Sequence, residues 1–433
     1  MTIHIVGGGL AGVEAAWQLA RAGLPCVLSE MKPARFSPAH KSPGLAELVC
    51  SNSFKAERNA SAAGLLKEEM RRLGSLCLEV AARTRVPAGG ALAVDRDLFS
   101  REITRLIKNE PLIELRTGEE IREIPRGGIA IIAAGPLCSD AFSESIQNIC
   151  GEGLRFYDAA APMITKESVD MRHAFAASRY ERGGEDDYLN CPMSKEEYEA
   201  FEQALITAER AHIHDFDVYE GCMPIEVLAA RGKDAIRYGP MKPVGLRDPA
   251  TGKRPWAVLQ LRRENAEGNL FNLVGFQTNL KFKEQSRVFG MIPALRNAEF
   301  VRYGVMHRNT FIDSPRLLDA SFRMKENPRL WFAGQITGVE GYMESAGSGL
   351  LVGLHVAREM NGLAPLTLPG TTMLGALSRY ISDAAVKKFQ PMGASFGLLP
   401  PLEGRVRDKR ERYEKLAERA LRDLTAAYIF TGN

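Results

Sequence analysis

The chain contains no apolar run approaching the roughly 18 residues that a membrane-crossing helix requires, so no transmembrane segment is expected. It also lacks a basic leader followed by a small-residue cleavage site. MTIHIVGGGLAG reads as structure from residue 2, and a cytoplasmic location is expected. There is no C-x-x-C pair. The cysteines, at positions 26, 50, 77, 138, 150, 191 and 222, are odd in number and scattered. That argues against a disulfide framework and a Cys-rich zinc site, so no metal is expected; most of the seven should be small buried hydrophobes. Tandem repeats and low-complexity tracts are missing, which sets aside a repeat architecture. Net charge is only +3 over 433 residues, which by itself selects no partner.

What is present is an ordinary globular composition, 45% hydrophobic and 25% charged, at a length sufficient for two domains. The charge is unevenly placed. Residues 181–226 hold 13 acids and three bases, whereas 229–263 hold nine bases and two acids, and 281–325 nine bases and four acids. Such blocks either pair, face solvent, or set a positive surface beside a polyanion.

The N-terminus carries the clearest motif. TIHIV (2–6) is a short β-type run, followed by Gly7-Gly8-Gly9-Leu10-Ala11-Gly12, a helical stretch from Val13 to Ala22, and a second strand ending at Glu30. In this G-x-G-x-x-G arrangement Gly7 permits the tight turn, Gly9 lets backbone approach a pyrophosphate, and Gly12 lets helix and strand pack closely. The helix N-terminus offers free N–H groups to the phosphates. Glu30 lies where a carboxylate can accept hydrogen bonds from ribose hydroxyls. A glycine-rich structural turn would explain the glycines but not Glu30. The motif reads as a dinucleotide site.

Two further segments narrow the cofactor. LWFAGQ (330–335) is a strand ending at Gly334 and Gln335, with Gly338, Gly341 and a helix near Ser345 beyond. It resembles the C-terminal flavin-binding segment of two-part FAD proteins, and IIAAGP (131–136) resembles the strand-glycine motif they carry earlier. Each alone is a buried strand and a turn; the three in order point to FAD rather than NAD. The expected fold is α/β, with a Rossmann-type FAD-binding domain split in sequence (1–150 and 326–433, ending in a charged helical tail). An α+β domain inserted at 151–325 would face substrate and RNA. Residues 31–60 read as a long functional loop. Helices are expected at 61–82, 96–109 (capped by Asp95), 194–210, 345–360 and about 403–428. Strands are expected at 113–115, 121–124, 129–134, 256–261 and 330–333.

Longer segments carry a family likeness. GGGLAGVEAAWQLA (7–20), ELVCSNSF (47–54), VPAGGALAVDRDLFS (86–100), YLNCPM (188–193), GCMPIE (221–226), YGPMKPVGL (238–246), LVGFQTNLK (273–281), YGVMHRNTF (303–311), AGQITGVEGYMESAGSGLLVGL (333–354) and QPMGASFGLLPP (390–401) resemble the folate- and FAD-dependent tRNA (uracil-5-)-methyltransferases, the TrmFO family. A more distant likeness, strongest in AGQITGVEGYMESA, is to the flavoprotein subunit that modifies wobble uridines in tRNA. The resemblance implies that a methylene group passes from 5,10-methylenetetrahydrofolate, by way of reduced FAD, to carbon 5 of a T-loop uridine in tRNA, with NAD(P)H as reductant.

Carbon 5 of uracil is a poor nucleophile until a thiolate adds at carbon 6, and a base must later remove the carbon-5 proton. The resemblance places the family's two functional cysteines on Cys50 and Cys222. We read Cys222 as the carbon-6 nucleophile and Cys50 as a second thiol in proton transfer or flavin protection, an order the residues alone leave open. Glu226, four residues from Cys222, is either a base or a partner of backbone or arginine. Arg231, Lys242, Arg308, Lys409 and Arg410, from three basic stretches, are phosphate-contact candidates. Tyr342, Phe276 and Tyr303 are either stacking partners for a flipped base or core residues. The same chemistry on ribosomal RNA, a small-molecule FAD/NAD(P)H oxidoreductase, and a non-enzymatic flavin-binding RNA protein are the alternatives.

Overall fold

Strand β1 (Ile3–Val6) reads Ile-His-Ile-Val, with all but His4 buried between its neighbours. It sits inside a six-stranded sheet ordered Arg323–Met324, Asn327–Phe332, Ile129–Ile132, β1, β2 (Cys26–Glu30) and Ile113–Thr117. All pairs are parallel except the outermost Arg323–Met324 pair. The chain leaves β1 toward β2 on one side and Ile129–Ile132 lies on the other, so the carboxyl end of β1 is a topological switch point, where α/β sheets open a crevice. The computed structural model describes residues 1–37, 39–151, 154–181, 184, 187–211, 223–386, 389–404 and 406–431.

Two helices cover this crevice. Helix α1 (Leu10–Arg21) follows the glycine turn, and the Tyr342–Met360 helix crosses it with backbones nearly touching. A Cβ on Gly349 would stand 2.0 Å from the Ala11 carbonyl oxygen, and one on Gly353 2.8 Å from that of Ala15. Buried carboxylates fasten other helices. Glu14 of α1 accepts from Leu76 N (3.2 Å), Cys77 N (2.9 Å) and the Ser75 hydroxyl at the start of the Leu76–Arg83 helix. Glu69 accepts from Met373 N (2.7 Å) and Leu374 N (2.8 Å) at the start of Met373–Ser382.

A second six-stranded sheet is antiparallel, ordered Phe175–Ala176, Tyr188–Met193, Ala257–Arg263, Leu270–Leu273, Met163–Thr165 and Phe300–Arg302, with its own apolar core. A two-stranded ribbon, Leu154–Ala159 paired with Met306–Phe311, lies at the chain's entry to and exit from this region. The α/β architecture expected from the sequence is therefore observed: a Rossmann-like parallel sheet plus an antiparallel sheet inserted in sequence.

Two local expectations fail. Residues 61–82 form two helices, Ala62–Arg72 and Leu76–Arg83, because Gly74 adopts φ +80° and the Ser75 hydroxyl caps the second helix. Residues 121–124 form no strand: Ile124 is buried, but its N–H donates to the Ser145 hydroxyl rather than to a sheet neighbour. Asp95 does cap the Arg96–Asn109 helix, accepting from Leu98 N at 2.9 Å. Among the described residues no helix is long and apolar enough to cross a membrane.

Candidate functional site

The glycine turn between β1 and α1 is built almost entirely by backbone. Gly7 has φ +105°, and a Cβ there would meet the Ala133 carbonyl oxygen at 2.5 Å. A Cβ on Gly12 would stand 1.9 Å from the Gly7 oxygen, so Gly12 serves packing. Gly9 is different. A Cβ there would meet nothing within 4 Å, so no protein atom requires glycine at that position. The space belongs to whatever approaches the open start of α1, which has no side-chain cap. This is a cradle shaped for a pyrophosphate.

Gly7, Gly8, Gly9, Leu10, Ala11, Glu30, Gly334 and Gln335, all expected from the sequence, line one cleft together with Cys50 and Tyr342. Glu30 is buried, its oxygens accepting from Gly8 N (2.8 Å) and Lys32 N (3.0 Å), which leaves each a further lone pair toward the cleft. Gly334 turns at φ +83° and donates its N–H to the Ser348 hydroxyl (2.7 Å), while Gln335 Nε2 donates to Glu340 (2.6 Å). The glycine cradle, the ribose-side carboxylate and the second glycine turn fit FAD.

Cys50 stands at the other end of this cleft, in an irregular loop just before the Ser53–Ala56 strand. Its Sγ lies 3.0 Å from Tyr342 Oη. The same oxygen accepts from Cys50 N (2.8 Å) and Ser51 N (3.2 Å). Cys50 Sγ donates to it as well, so three groups of the Cys50 loop converge on this one oxygen. Burial, and next the charge of Cys50, push the Tyr342 phenol well above its ordinary value, so it stays protonated.

The rest of the loop is gripped from the second sheet and from the Arg96–Asn109 helix. Arg262 donates to Asn52 Oδ1 and to Ser51 Oγ, both at 2.9 Å, and Asn52 Nδ2 donates back to the Arg263 carbonyl at 2.9 Å. Arg96 donates to the Leu48 carbonyl (2.9 Å) and to Glu264 (2.6 Å). Arg96, Arg262 and Arg302 all attract the charge of Cys50. A thiolate nucleophile or base is sustained by such a cationic setting. Sequence reasoning missed the three arginines. The only hints were that Arg96 falls within a family-like segment, Arg302 beside one, and Arg262 in the basic block 229–263.

The other candidates separate. Cys222 lies outside the described residues. Cys26, Cys150 and Cys191 are buried thiols that burial pushes up to about 12, and Cys77 is pushed up as well. Glu226 is fully buried, accepting from Thr278 Oγ1 (2.9 Å) and Asn279 N (2.8 Å), which makes it a backbone anchor rather than an open base. Phe276 is core, between Phe201 and Phe289, and cannot stack on a base. Tyr303 stacks between Phe282 and Phe300. Tyr342 is committed through its hydroxyl to the Cys50 loop. Arg231 and Lys242 are exposed at the second sheet, and Lys409 and Arg410 open the Lys409–Thr431 helix, where Arg410 pairs with Glu414 (2.9 Å). Arg308 is on the Met306–Phe311 strand, its side chain outside the described set.

Comparison with known proteins gives a consistent answer. The family described as GIDA, glucose inhibited division protein A, matches residues 2–364. A protein of Geobacter sulfurreducens named methylenetetrahydrofolate–tRNA-(uracil-5-)-methyltransferase TrmFO is 57% identical over 425 residues, covering 98% of each chain. One of the same name from Moorella thermoacetica is 56% identical over 435 residues, covering 100% of this chain and 99% of its own. Among solved structures, Aquifex aeolicus GidA in its form II crystal superposes with a TM-score of 0.71 at 15% identity, covering 98% of this chain and 73% of that one, a likeness of fold.

Proposed function

This chain belongs to the TrmFO family, and from that membership we propose that it methylates carbon 5 of a T-loop uridine in tRNA, giving 5-methyluridine. It is a methylenetetrahydrofolate–tRNA-(uracil-5-)-methyltransferase that uses FAD, with 5,10-methylenetetrahydrofolate as one-carbon donor and NAD(P)H as reductant. The reaction runs in the cytoplasm, and the segment 151–325 forms the RNA-facing part. When bound, FAD supplies the redox and one-carbon carrier chemistry.

The protein's own residues do the rest. Gly9 and the start of α1 hold the pyrophosphate, Glu30 takes the ribose, and the Gly334 turn receives the ring end of the cofactor. Cys50 presents its sulfur to the same cleft, and this juxtaposition carries the proposal. The positive charges of Arg96, Arg262 and Arg302 act on it, and Tyr342 fixes its position. Cys50 then removes the carbon-5 proton of the uridine and releases it to solvent. Cys222 adds at carbon 6 of the uracil, an assignment that rests on GCMPIE alone.

The test supplies holoenzyme with methylenetetrahydrofolate labelled in its methylene, NAD(P)H and unmodified tRNA. Label should appear in 5-methyluridine. Cys50→Ala should retain the yellow flavin and lose transfer. Unlabelled tRNA with wild-type enzyme sinks the activity, and full transfer by Cys50→Ala sinks the role of Cys50.

A further inference from the structure

Many exposed arginines of this protein pair with a nearby carboxylate. Arg72 pairs with Glu68, Arg83 with Glu79, Arg105 with Glu102, Arg116 with Glu114, Arg172 with Asp170 and Arg287 with Glu284. Others do not, and five exposed cations of that kind gather in one region. Among the described residues Arg58, Arg247, Lys253, Arg254 and Lys409 are exposed and none of them pairs with a carboxylate.

These five cations line three neighbouring clefts that run into one another. The first, between the Ala62–Arg72 helix start and the Lys409–Thr431 helix, contains Arg58 and Lys409. The second, between the Ser53–Ala56 strand and the antiparallel sheet, shares Arg58 and adds Arg179 and Tyr180. The third shares Tyr180 and adds Arg247, Lys253 and Arg254. Among the described residues, the acids beside this path have hydrogen-bond or ion-pair partners. Glu57 is held by Arg71 (3.0 Å) and Arg85 (2.7 Å), and Asp408 accepts from Glu411 N (2.7 Å). Asp248 accepts within its own turn from Ala250 N (2.9 Å) and Thr251 (3.2 Å).

At the junction of the second and third clefts stands Tyr180. It is 53% exposed and held in the left-handed region at φ +58°, ψ 28°, a conformation that costs a non-glycine residue energy. Its ring lies against Gly245, where a Cβ would come within 2.9 Å of the ring, so glycine there lets the ring lie close over backbone. An exposed aromatic kept in a strained conformation between two cationic clefts is the arrangement that stacks an unpaired base while its phosphates meet Lys and Arg. Arg58 is eight residues from Cys50 along the chain, at most about 28 Å even if fully extended.

We propose that these clefts form one continuous track for the tRNA backbone, with Arg58, Arg247, Lys253, Arg254 and Lys409 on phosphates and Tyr180 stacked on an unpaired base. The proposal rests on the tRNA-methyltransferase reading and extends it to the residues that hold the RNA.

The experiment measures binding of unmodified tRNA to holoenzyme by fluorescence anisotropy across a salt series, with methyl transfer assayed in parallel. Each lost phosphate contact removes about 0.7–0.9 from the slope of log K against log salt, so the combined Arg58→Ala, Arg247→Ala, Lys253→Ala, Arg254→Ala variant should lower that slope by about three. Its Kd should rise at least tenfold, its KM for tRNA should rise likewise, and its kcat at saturating tRNA and its flavin content should hold. Tyr180→Ala should raise Kd roughly tenfold, the loss of one base–aromatic stack, and Tyr180→Phe should restore it. Arg105→Ala, which removes a locally paired cation, should change neither slope nor Kd. A combined variant with wild-type slope and affinity, on an enzyme that does label tRNA, overturns the track. Wild-type enzyme that leaves tRNA unlabelled overturns the functional reading instead.

Discussion

The two ends of the cofactor cleft are made in opposite ways. At the glycine end the geometry is backbone against backbone, between one βαβ unit, Ala133 and the Tyr342–Met360 helix, and side chains matter chiefly by their absence. At the Cys50 end the loop is shaped by side chains reaching in from distant parts of the sequence: Tyr342 from one helix, Arg96 from another, Arg262 from the antiparallel sheet. The first construction is intolerant, because a single added methyl collides with a carbonyl. The second is graded, because each clamp can be weakened separately. A site that must bind one large cofactor firmly and also position one reactive sulfur uses a different kind of contact for each task.

The largest effect should come from breaking the intolerant end. Gly12→Val drives carbon into the Gly7 carbonyl, at a distance where the helix must move off the strand. Overpacking of this kind costs about 1–3 kcal/mol or more, and here it also deforms the cradle. The purified protein should carry little flavin, measured as the ratio of visible to ultraviolet absorbance. Normal flavin content in this variant would mean that the close packing of α1 is not what forms the cradle.

A smaller and more selective loss is expected at the graded end. Tyr342→Phe removes the acceptor for Cys50 N and Ser51 N and leaves both donors without their partner, a penalty of roughly 1–3 kcal/mol. Flavin content should hold while transfer falls about 10- to 100-fold. Equal losses of flavin and transfer would erase the contrast between the two ends.

The smallest effect lies outside both, in the carboxylates that fasten the helices. Burial raises Glu69 to about 8 from its ordinary 4.5, against the two backbone N–H groups that lower it. The folded protein therefore keeps a proton that the unfolded chain releases. The resulting stabilisation is complete below about pH 4.5 and is lost as pH rises through about 8. Glu69→Gln should flatten the decline of Tm between these limits, at the cost of about 1 kcal/mol for the weakened cap. Parallel Tm profiles for wild type and variant would show that Glu69 does not carry this pH dependence.

Much of the cofactor end was legible in the residues, since Gly7, Gly9, Gly12 and Glu30 act within one local unit, and the Gly334 turn repeats the logic of a strand followed by a glycine. Periodicity located most helices. It failed at 61–82, where Gly74 and Ser75 end one helix and cap another inside an unbroken amphipathic pattern. It failed again at 121–124, where an apolar segment is buried without a strand partner. Cys50 was singled out by likeness to a family, but its surroundings were not readable.

The sequence by itself determined the fingerprint turn and the strand–helix–strand unit around it, because these depend on contacts between near neighbours and on backbone freedom at particular glycines. Only the tertiary structure decided that Tyr342, a proposed base-stacking residue, instead holds the Cys50 loop, that Glu226 anchors backbone, and that Arg58 and Tyr180 join separate clefts. The physical reason is the same in each case. A hydrogen bond between residues 50 and 342, or a shared cleft between residues 58 and 409, is fixed by how sheets and helices pack, and no short-range pattern encodes it.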